Sequence, residues 1–222
     1  MCGIFGFIGS NGGKPNIETL KRIATVTETR GRHAFGLAWI NDRGRIRAYK
    51  QTGKITDALD SLKITGGAVA VIGHCRHATV GDADDMINNH PHPCDGGWLV
   101  HNGTILNLAS VVNRYRLALS SECDSEALCQ LIEIRKGSLI QRVHESVQLT
   151  TGRCAIAALW KSPARLAIAR RGKLLHYTTT ARGIYFGSLP GGLPGKPRPF
   201  PDGMTHLITL RKDGPHKINT EF

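Results

Sequence analysis

The chain opens Met1-Cys2-Gly3-Ile4-Phe5-Gly6-Phe7-Ile8-Gly9. A cysteine follows the initiator methionine, and a short apolar run punctuated by glycine follows the cysteine. Because cysteine is small, the methionine before it is normally clipped off, so Cys2 is expected as a free N-terminus carrying both a thiol and an α-amine. The unperturbed thiol titrates near ~8.5 and the α-amine near ~7.7–8.0, so the amine can take the thiol proton at neutral pH. One residue would then supply a nucleophile and its own base. The plain alternative is a small apolar residue opening a strand, as most cysteines are. The run Ile4–Ile8 has the apolar density of a buried strand.

Outward from this strand, Asn16–Thr29 repeats apolar residues at Ile17, Leu20, Ile23, Ala24 and Thr27, which predicts a helix capped by Asn16. Arg30-Gly31-Arg32-His33 reads as a turn. Ala34–Asn41 and Arg45–Gln51 read as a hairpin about Asn41-Asp42-Arg43-Gly44. A short helix is expected over Ile55–Leu62 and a central strand over Ala68–Cys75. Arg76–Gly96 is a long polar loop, a feature that is uncommon inside a domain and usually functional. A strand over Gly97–His101 runs into Asn102-Gly103. Helices are expected at Leu106–Leu119, Asp124–Arg135 and Leu139–Gln148. From Arg153 the pattern turns to strands at Cys154–Trp160, Leu166–Arg170, Leu174–Thr178, Ile184–Ser188 and Thr205–Leu210. Pro190–Pro201 is rich in proline and glycine and reads as an irregular surface loop. Two batches of strands with helices between them imply an α+β domain of stacked layers. With no repeat or clear linker, the 222 residues are read as a single domain.

Composition narrows the classes. There is no run of about 18 apolar residues, so no transmembrane helix is expected. A basic segment leading into an apolar one is absent from the start, so no secretory signal is expected. Cys2, Cys75, Cys94, Cys123, Cys129 and Cys154 form no CxxC pair, which reads as reduced thiols in a cytoplasm. The net charge of +12 admits a nucleic-acid partner, an acidic protein partner or simply a basic surface. The basic residues gather at Arg43–Lys50, Arg165–Lys173 and Arg211–Lys217. No RNP, zinc-finger or helix-turn-helix signature accompanies them, and charge alone explains only non-specific attraction.

The middle of the chain reads Gly73-His74-Cys75-Arg76-His77-Ala78-Thr79-Val80-Gly81, then Asn89-His90-Pro91-His92-Pro93, then Val100-His101-Asn102-Gly103-Thr104-Ile105-Leu106-Asn107, then Ser121-Glu122-Cys123-Asp124-Ser125-Glu126. With Cys2-Gly3-Ile4-Phe5-Gly6 and the Arg30-Gly31 turn, these segments resemble the class II glutamine amidotransferase domain of the N-terminal-nucleophile hydrolases. The resemblance is above all to the glutaminase half of glucosamine-6-phosphate synthase, with amidophosphoribosyltransferase as a cousin, and it runs from Cys2 to about Thr209. It implies a four-layer αββα sandwich in which two mainly antiparallel sheets lie between helix layers. It implies Cys2 as nucleophile with its α-amine as base, attacking the side-chain amide of L-glutamine, and Asn102 with Gly103 as the oxyanion hole. Arg76 and Asp124 would hold the α-carboxylate and α-ammonium of glutamine, helped by Thr79, with Arg30 in a supporting electrostatic role and His77 and His101 at the substrate. The loop His77–Gly96 resembles one that closes over bound substrate. No cofactor is implied.

Plainer readings stand beside these. Asn-Gly is a common hairpin turn, Asp124 suits a helix N-cap, and an arginine most often makes a surface ion pair. No metal is expected: His90-x-His92-x-Cys94 lacks zinc-site spacing, and the family motif already contains His-Pro-His. The sequence departs from the family at His77, where Trp or Tyr is usual, at His33 in the Arg-Gly-x-Asp turn, at Val80 where the synthases often have His, and at Cys75 where Thr is common. None of these removes an atom the reaction needs. The known synthases fuse this domain to a large acceptor domain, so a stand-alone subunit passing ammonia to a separate synthetase or synthase is expected. The alternatives are an amidohydrolase acting on another amide or γ-glutamyl compound, and a non-catalytic glutamine-binding regulatory homologue.

Overall fold

A computed structural model describes residues 1–210 and 217–221. In chain order the elements are β1 (Gly3–Gly9), α1 (Ile17–Glu28), β2 (Ala34–Asn41), β3 (Ile46–Thr52), β4 (Ala68–Arg76), β5 (His92–Cys94), β6 (Gly97–Gly103), α2 (Leu108–Tyr115), α3 (Ser125–Ile134), α4 (Leu139–Leu149), β7 (Cys154–Trp160), β8 (Arg165–Arg171), β9 (His176–Thr180), β10 (Gly183–Gly187), β11 (Arg198–Pro199), β12 (Thr205–Thr209) and β13 (Lys217–Glu221). One sheet runs β11-β9-β10-β1-β4-β2-β3 and the other β13-β12-β8-β7-β6-β5. Neighbouring strands are antiparallel throughout.

The layering follows from alternation along each strand. On β1, Ile4 and Ile8 enter an apolar layer shared with Val100 of β6, Ala155, Ala157 and Leu159 of β7 and Ile168 of β8. Phe5 and Phe7 turn the other way and pack with Leu20, Ile23 and Ala24 of α1. On the second sheet Leu99, Ile156 and Ala158 face away from β1 and meet Leu128 and Ile132 of α3 and Val143 of α4. Successive side chains of a strand point to opposite faces, so two sheets with apolar residues on both faces must be covered twice. The result is helix, sheet, sheet, helix: the expected α+β sandwich.

Local chemistry sets the boundaries. Asn16 caps α1 by accepting from the Thr19 N–H at 2.9 Å, as expected. Ser138 and Gln141 form a reciprocal capping box at the start of α4. Four expectations change; one is that Pro190–Pro201, expected as an irregular surface loop, carries β11, which pairs with β9, and buries Leu193 and Phe200. The segment after β3 is a 3-10 run over Ile55–Thr65 broken at Ala58, not a regular helix. The helix expected over Leu106–Leu119 shrinks to α2, because Asn107 is spent elsewhere: its Oδ1 accepts from Thr151 N and its Nδ2 donates to Leu149 O. The loop after β4 is not irregular to its end. It makes a 3-10 turn at Met86–Asn88 and then β5, which pairs with β6.

The basic cluster at Arg165–Lys173 is partly internal. Arg171 donates to Gly152 O and Val147 O, and Arg170 to Lys173 O and Phe200 O. The cluster at 211–217 lies, except for Lys217, outside the described residues. No helix among the described residues is long and apolar enough to cross a membrane.

Candidate active site

β1 and β4 are neighbours in one sheet, and β6 lies in the other. Their ends converge. Gly3 pairs with Cys75, which sets Cys2 beside the end of β4 where Arg76 and His77 follow. A cleft of about 210 Å³ is lined there by Cys2, Arg76, His77, Thr79, Gly103 and Asp124, among others. It is smaller than the roughly 300–1,000 Å³ of pockets for drug-sized ligands.

The Cys2 sulfur accepts from the His77 peptide N–H at 3.3 Å. Burial pushes the thiol pKa up, partly opposed by that peptide contact, by the terminal amine and by Arg76; Asp124 adds to the rise. Arg30 donates from Nε to Cys2 O at 2.8 Å and so fixes the backbone just before β1. The Arg30-Gly31 turn lies flat on the end of β4: a Cβ on Gly31 would strike the Arg76 carbonyl carbon and the His77 nitrogen. His77 itself is exposed and stacks on His33, with ring centroids 5.0 Å apart. His33 Nδ1 accepts from Ala78 N at 3.0 Å. Two of the four residues that depart from the family motif, His33 and His77, therefore pair with one another.

Arg76 is buried, not at the surface. Its Nη1 donates to Asp82 O and Asn89 Oδ1, at 3.0 and 2.7 Å, and its Nη2 to Val80 O and Gly81 O, at 2.7 and 2.9 Å. All four terminal N–H bonds thus hold the loop that follows. Thr79 is exposed on that loop.

At the end of β6, Asn102 is 1% exposed and its Nδ2 has no hydrogen-bond partner. By strand alternation it faces the gap between the sheets, as Val100 does. Asn102 and Gly103 are not a hairpin turn: they pair in register with Ala155 and Cys154 of β7. Gly103 is constrained, since a Cβ there would strike His101 Nε2 and Arg153 O. Asp124 occupies the N-cap position of α3 but does not cap it. Its Oδ2 accepts from Ile105 N at 2.6 Å.

Ser125, which sequence reasoning did not single out, links Asp124 to His101. Its hydroxyl is 3.2 Å from Asp124 Oδ1 and 2.8 Å from His101 Nδ1. A serine has one proton to give. Given to the carboxylate, it leaves Oγ to accept from His101 Nδ1–H, which puts the bare lone pair on Nε2. Burial keeps the His101 ring neutral, against the pull of Asp124. The signal for Ser125 was its place in the Cys-Asp-Ser-Glu run. Its reach to a histidine 24 residues away was not readable.

A fold of two sandwiched antiparallel sheets with a cysteine at the start of an inner strand is that of the N-terminal-nucleophile amidotransferases. The solved glutamine phosphoribosylpyrophosphate amidotransferase of B. subtilis superposes with a TM-score of 0.79 at 20% identity, covering 98% of this chain and 49% of that one. A glutamine aminotransferase class-II domain protein of Silicibacter pomeroyi gives 0.60 at 14% identity, covering 98% of each. In sequence, the glutamine--fructose-6-phosphate aminotransferase of Geobacillus kaustophilus is 36% identical over 72% of this chain and 27% of its own length. That of Thermotoga maritima is 32% identical over 100% of this chain and 37% of its own. No family model matches. The chain belongs to the class II glutamine amidotransferases, and it spans about a third of the length of the curated relatives it matches.

Proposed function

We propose that this domain is a glutaminase that hydrolyses L-glutamine to L-glutamate through a γ-glutamyl thioester on Cys2. The observation that carries this is the convergence of Cys2, Arg76, Gly103 and Asp124, from four separate stretches of sequence, on one cleft.

Met1 is 65% exposed, so its removal disturbs no core and leaves the Cys2 amine beside its own sulfur. Because burial holds the proton on the thiol, the sulfur needs a base, and the amine serves. The sulfur attacks the amide carbon, and the oxygen of the tetrahedral species takes hydrogen bonds from Asn102 Nδ2 and the Gly103 N–H. The partnerless Nδ2 of Asn102 supports this role, since a buried donor is rarely left without an acceptor. The amine then gives its proton to the departing nitrogen, the C–N bond breaks and ammonia leaves. Water cleaves the thioester, releasing glutamate and restoring the thiol.

Asp124 takes the α-ammonium, oriented through Ser125 and His101. Arg76 takes the α-carboxylate by exchanging the carbonyls of Val80 and Gly81 for it, so substrate binding and loop movement are one event. Thr79 travels with that loop. His77 acts through its peptide N–H on the sulfur, and Arg30 through the Cys2 carbonyl. The proposal extends to a single domain over residues 1–222, in a cytoplasm, handing ammonia to a separate acceptor enzyme. The two sequence relatives named above are glutamine--fructose-6-phosphate aminotransferases.

Intact-mass analysis before and after a glutamine-analogue electrophile tests this. The expected result is a chain lacking Met1 that gains one adduct on Cys2, with glutamine protecting against it. A chain that lacks Met1 and stays unlabelled overturns the proposal.

A further inference from the structure

Beside the cleft lies a second cluster that the glutaminase reading does not use. His90, His92 and Cys123 are all buried, and each offers a ligand atom within 4.8 Å of the other two. Both ring nitrogens of His90 and Nε2 of His92 have no hydrogen-bond partner. A buried polar atom left unpaired destabilises the fold. One nitrogen of each imidazole lies within 4.8 Å of the other and of the Cys123 sulfur, so a single ion between them would take up part of that cost. Cys94, the sequence-adjacent candidate, is directed elsewhere: its sulfur lies 3.9 Å from Cys129 O.

We infer that His90, His92 and Cys123 form a binding site for a borderline-soft divalent d-block cation of the zinc class, built from two imidazoles and one thiolate. Nitrogen and thiolate donors together favour such an ion over magnesium or calcium. Small side-chain adjustments bring these atoms to the ~2.0–2.3 Å bonds that zinc makes. Binding releases the Cys123 proton to solvent, because the thiolate is the ligand. Three protein ligands leave one position open. His90 and Cys123 both line the glutamine cleft, so that position is taken by a water or solute from the cleft side. The ion ties the segment before β5 to the segment before α3, and these form two walls of the cleft. The spacing His90-x-His92 concealed this, since the third ligand comes from a different stretch 31 positions beyond His92.

The test uses the full chain with Cys2→Ala, which removes the other thiol that lines the cleft, after stripping with a chelator. Cobalt(II) is titrated in as a coloured substitute for zinc, and a thiolate-to-cobalt charge-transfer band is followed. One equivalent is expected to bind with that band and to raise the thermal midpoint. Adding Cys123→Ser is expected to abolish both effects while far-ultraviolet circular dichroism stays unchanged; adding Cys94→Ser leaves both in place. No band in the Cys2→Ala chain, or a band that survives Cys123→Ser, overturns the site. So does a band lost with Cys94→Ser in a chain whose circular dichroism is unchanged.

Discussion

At the scale of single residues the proposed chemistry rests on two atoms whose surroundings are unusual. The Cys2 thiol is raised by burial, so the fraction already ionised at neutral pH is small. If the thiolate attacked unaided, the rate would climb with pH through that raised value. With the Cys2 α-amine as base, the rate follows deprotonation of the amine instead, which ordinarily titrates near ~7.7–8.0. The expected profile of kcat/KM for glutamine therefore rises tenfold per pH unit on the acid side and levels off near the amine value. A pH–rate series on protein shown by mass to lack Met1 checks this, and a rise continuing to higher pH would assign the thiol alone. The second atom is Asn102 Nδ2, buried without a partner. Asn102→Ala is expected to lower kcat by about 10²–10³ and to leave KM within a few-fold, since in the proposed reaction the donor meets a charge that exists only after attack. Steady-state kinetics separate this from a merely structural role, which would move KM and stability as well. Both residues stood out as candidates in the sequence, one from its position after Met1 and the other from the Val-His-Asn-Gly run. Asp124 was legible only by type: its use on Ile105 N depends on a contact across 19 residues, and local spacing carries no such information.

At the scale of elements, the strands and capped helices were readable because their signals are local. The Asn41-Asp42-Arg43-Gly44 turn marked β2 and β3, and Asn16 with the 3.6-residue period marked α1. The loop after β4 was not readable in the same way. Its order comes from Arg76, whose guanidinium gathers three carbonyls and Asn89 Oδ1, and an arginine in a sequence gives no hint of which carbonyls will fold back to it. Asn89 also donates to Ala83 O at 2.6 Å, so it clamps the loop from both sides. Asn89→Ala removes a hydrogen bond to a buried charge, a loss of about 1.5–3 kcal/mol. Equilibrium unfolding in urea is expected to show that loss with an unchanged slope, and limited proteolysis to cut first between residues 77 and 89. A stability unchanged within error would mean that the loop is held elsewhere. β5 escaped notice because a three-residue edge strand containing Pro93 has too few positions to alternate.

At the scale of the whole molecule, the site is assembled across the gap between two sheets. Cys2 leads into β1 of the first sheet and Asn102 with Gly103 ends β6 of the second, so the thickness of the apolar layer between them would set the distance over which the proposed reaction works. That layer and the layer under α1 both contain fully buried aliphatic residues, yet they differ in consequence. Ile4 sits in the layer between the sheets, two residues beyond Cys2, and Leu20 sits under α1 on the far side of the first sheet. Each replaced by Ala loses about 2–5 kcal/mol of stability, because neither pocket can close fully around the missing atoms. Well below both melting transitions, Leu20→Ala is expected to keep the wild-type kcat. Ile4→Ala lets β1 settle toward the second sheet, and a misplacement of about 1 Å at the reacting atoms costs on the order of 10²-fold in rate. Measuring kcat and unfolding free energy on the same samples checks this. Equal losses of kcat in the two variants would show that rate follows stability alone, and the spacing between the sheets would then carry no part of the catalysis.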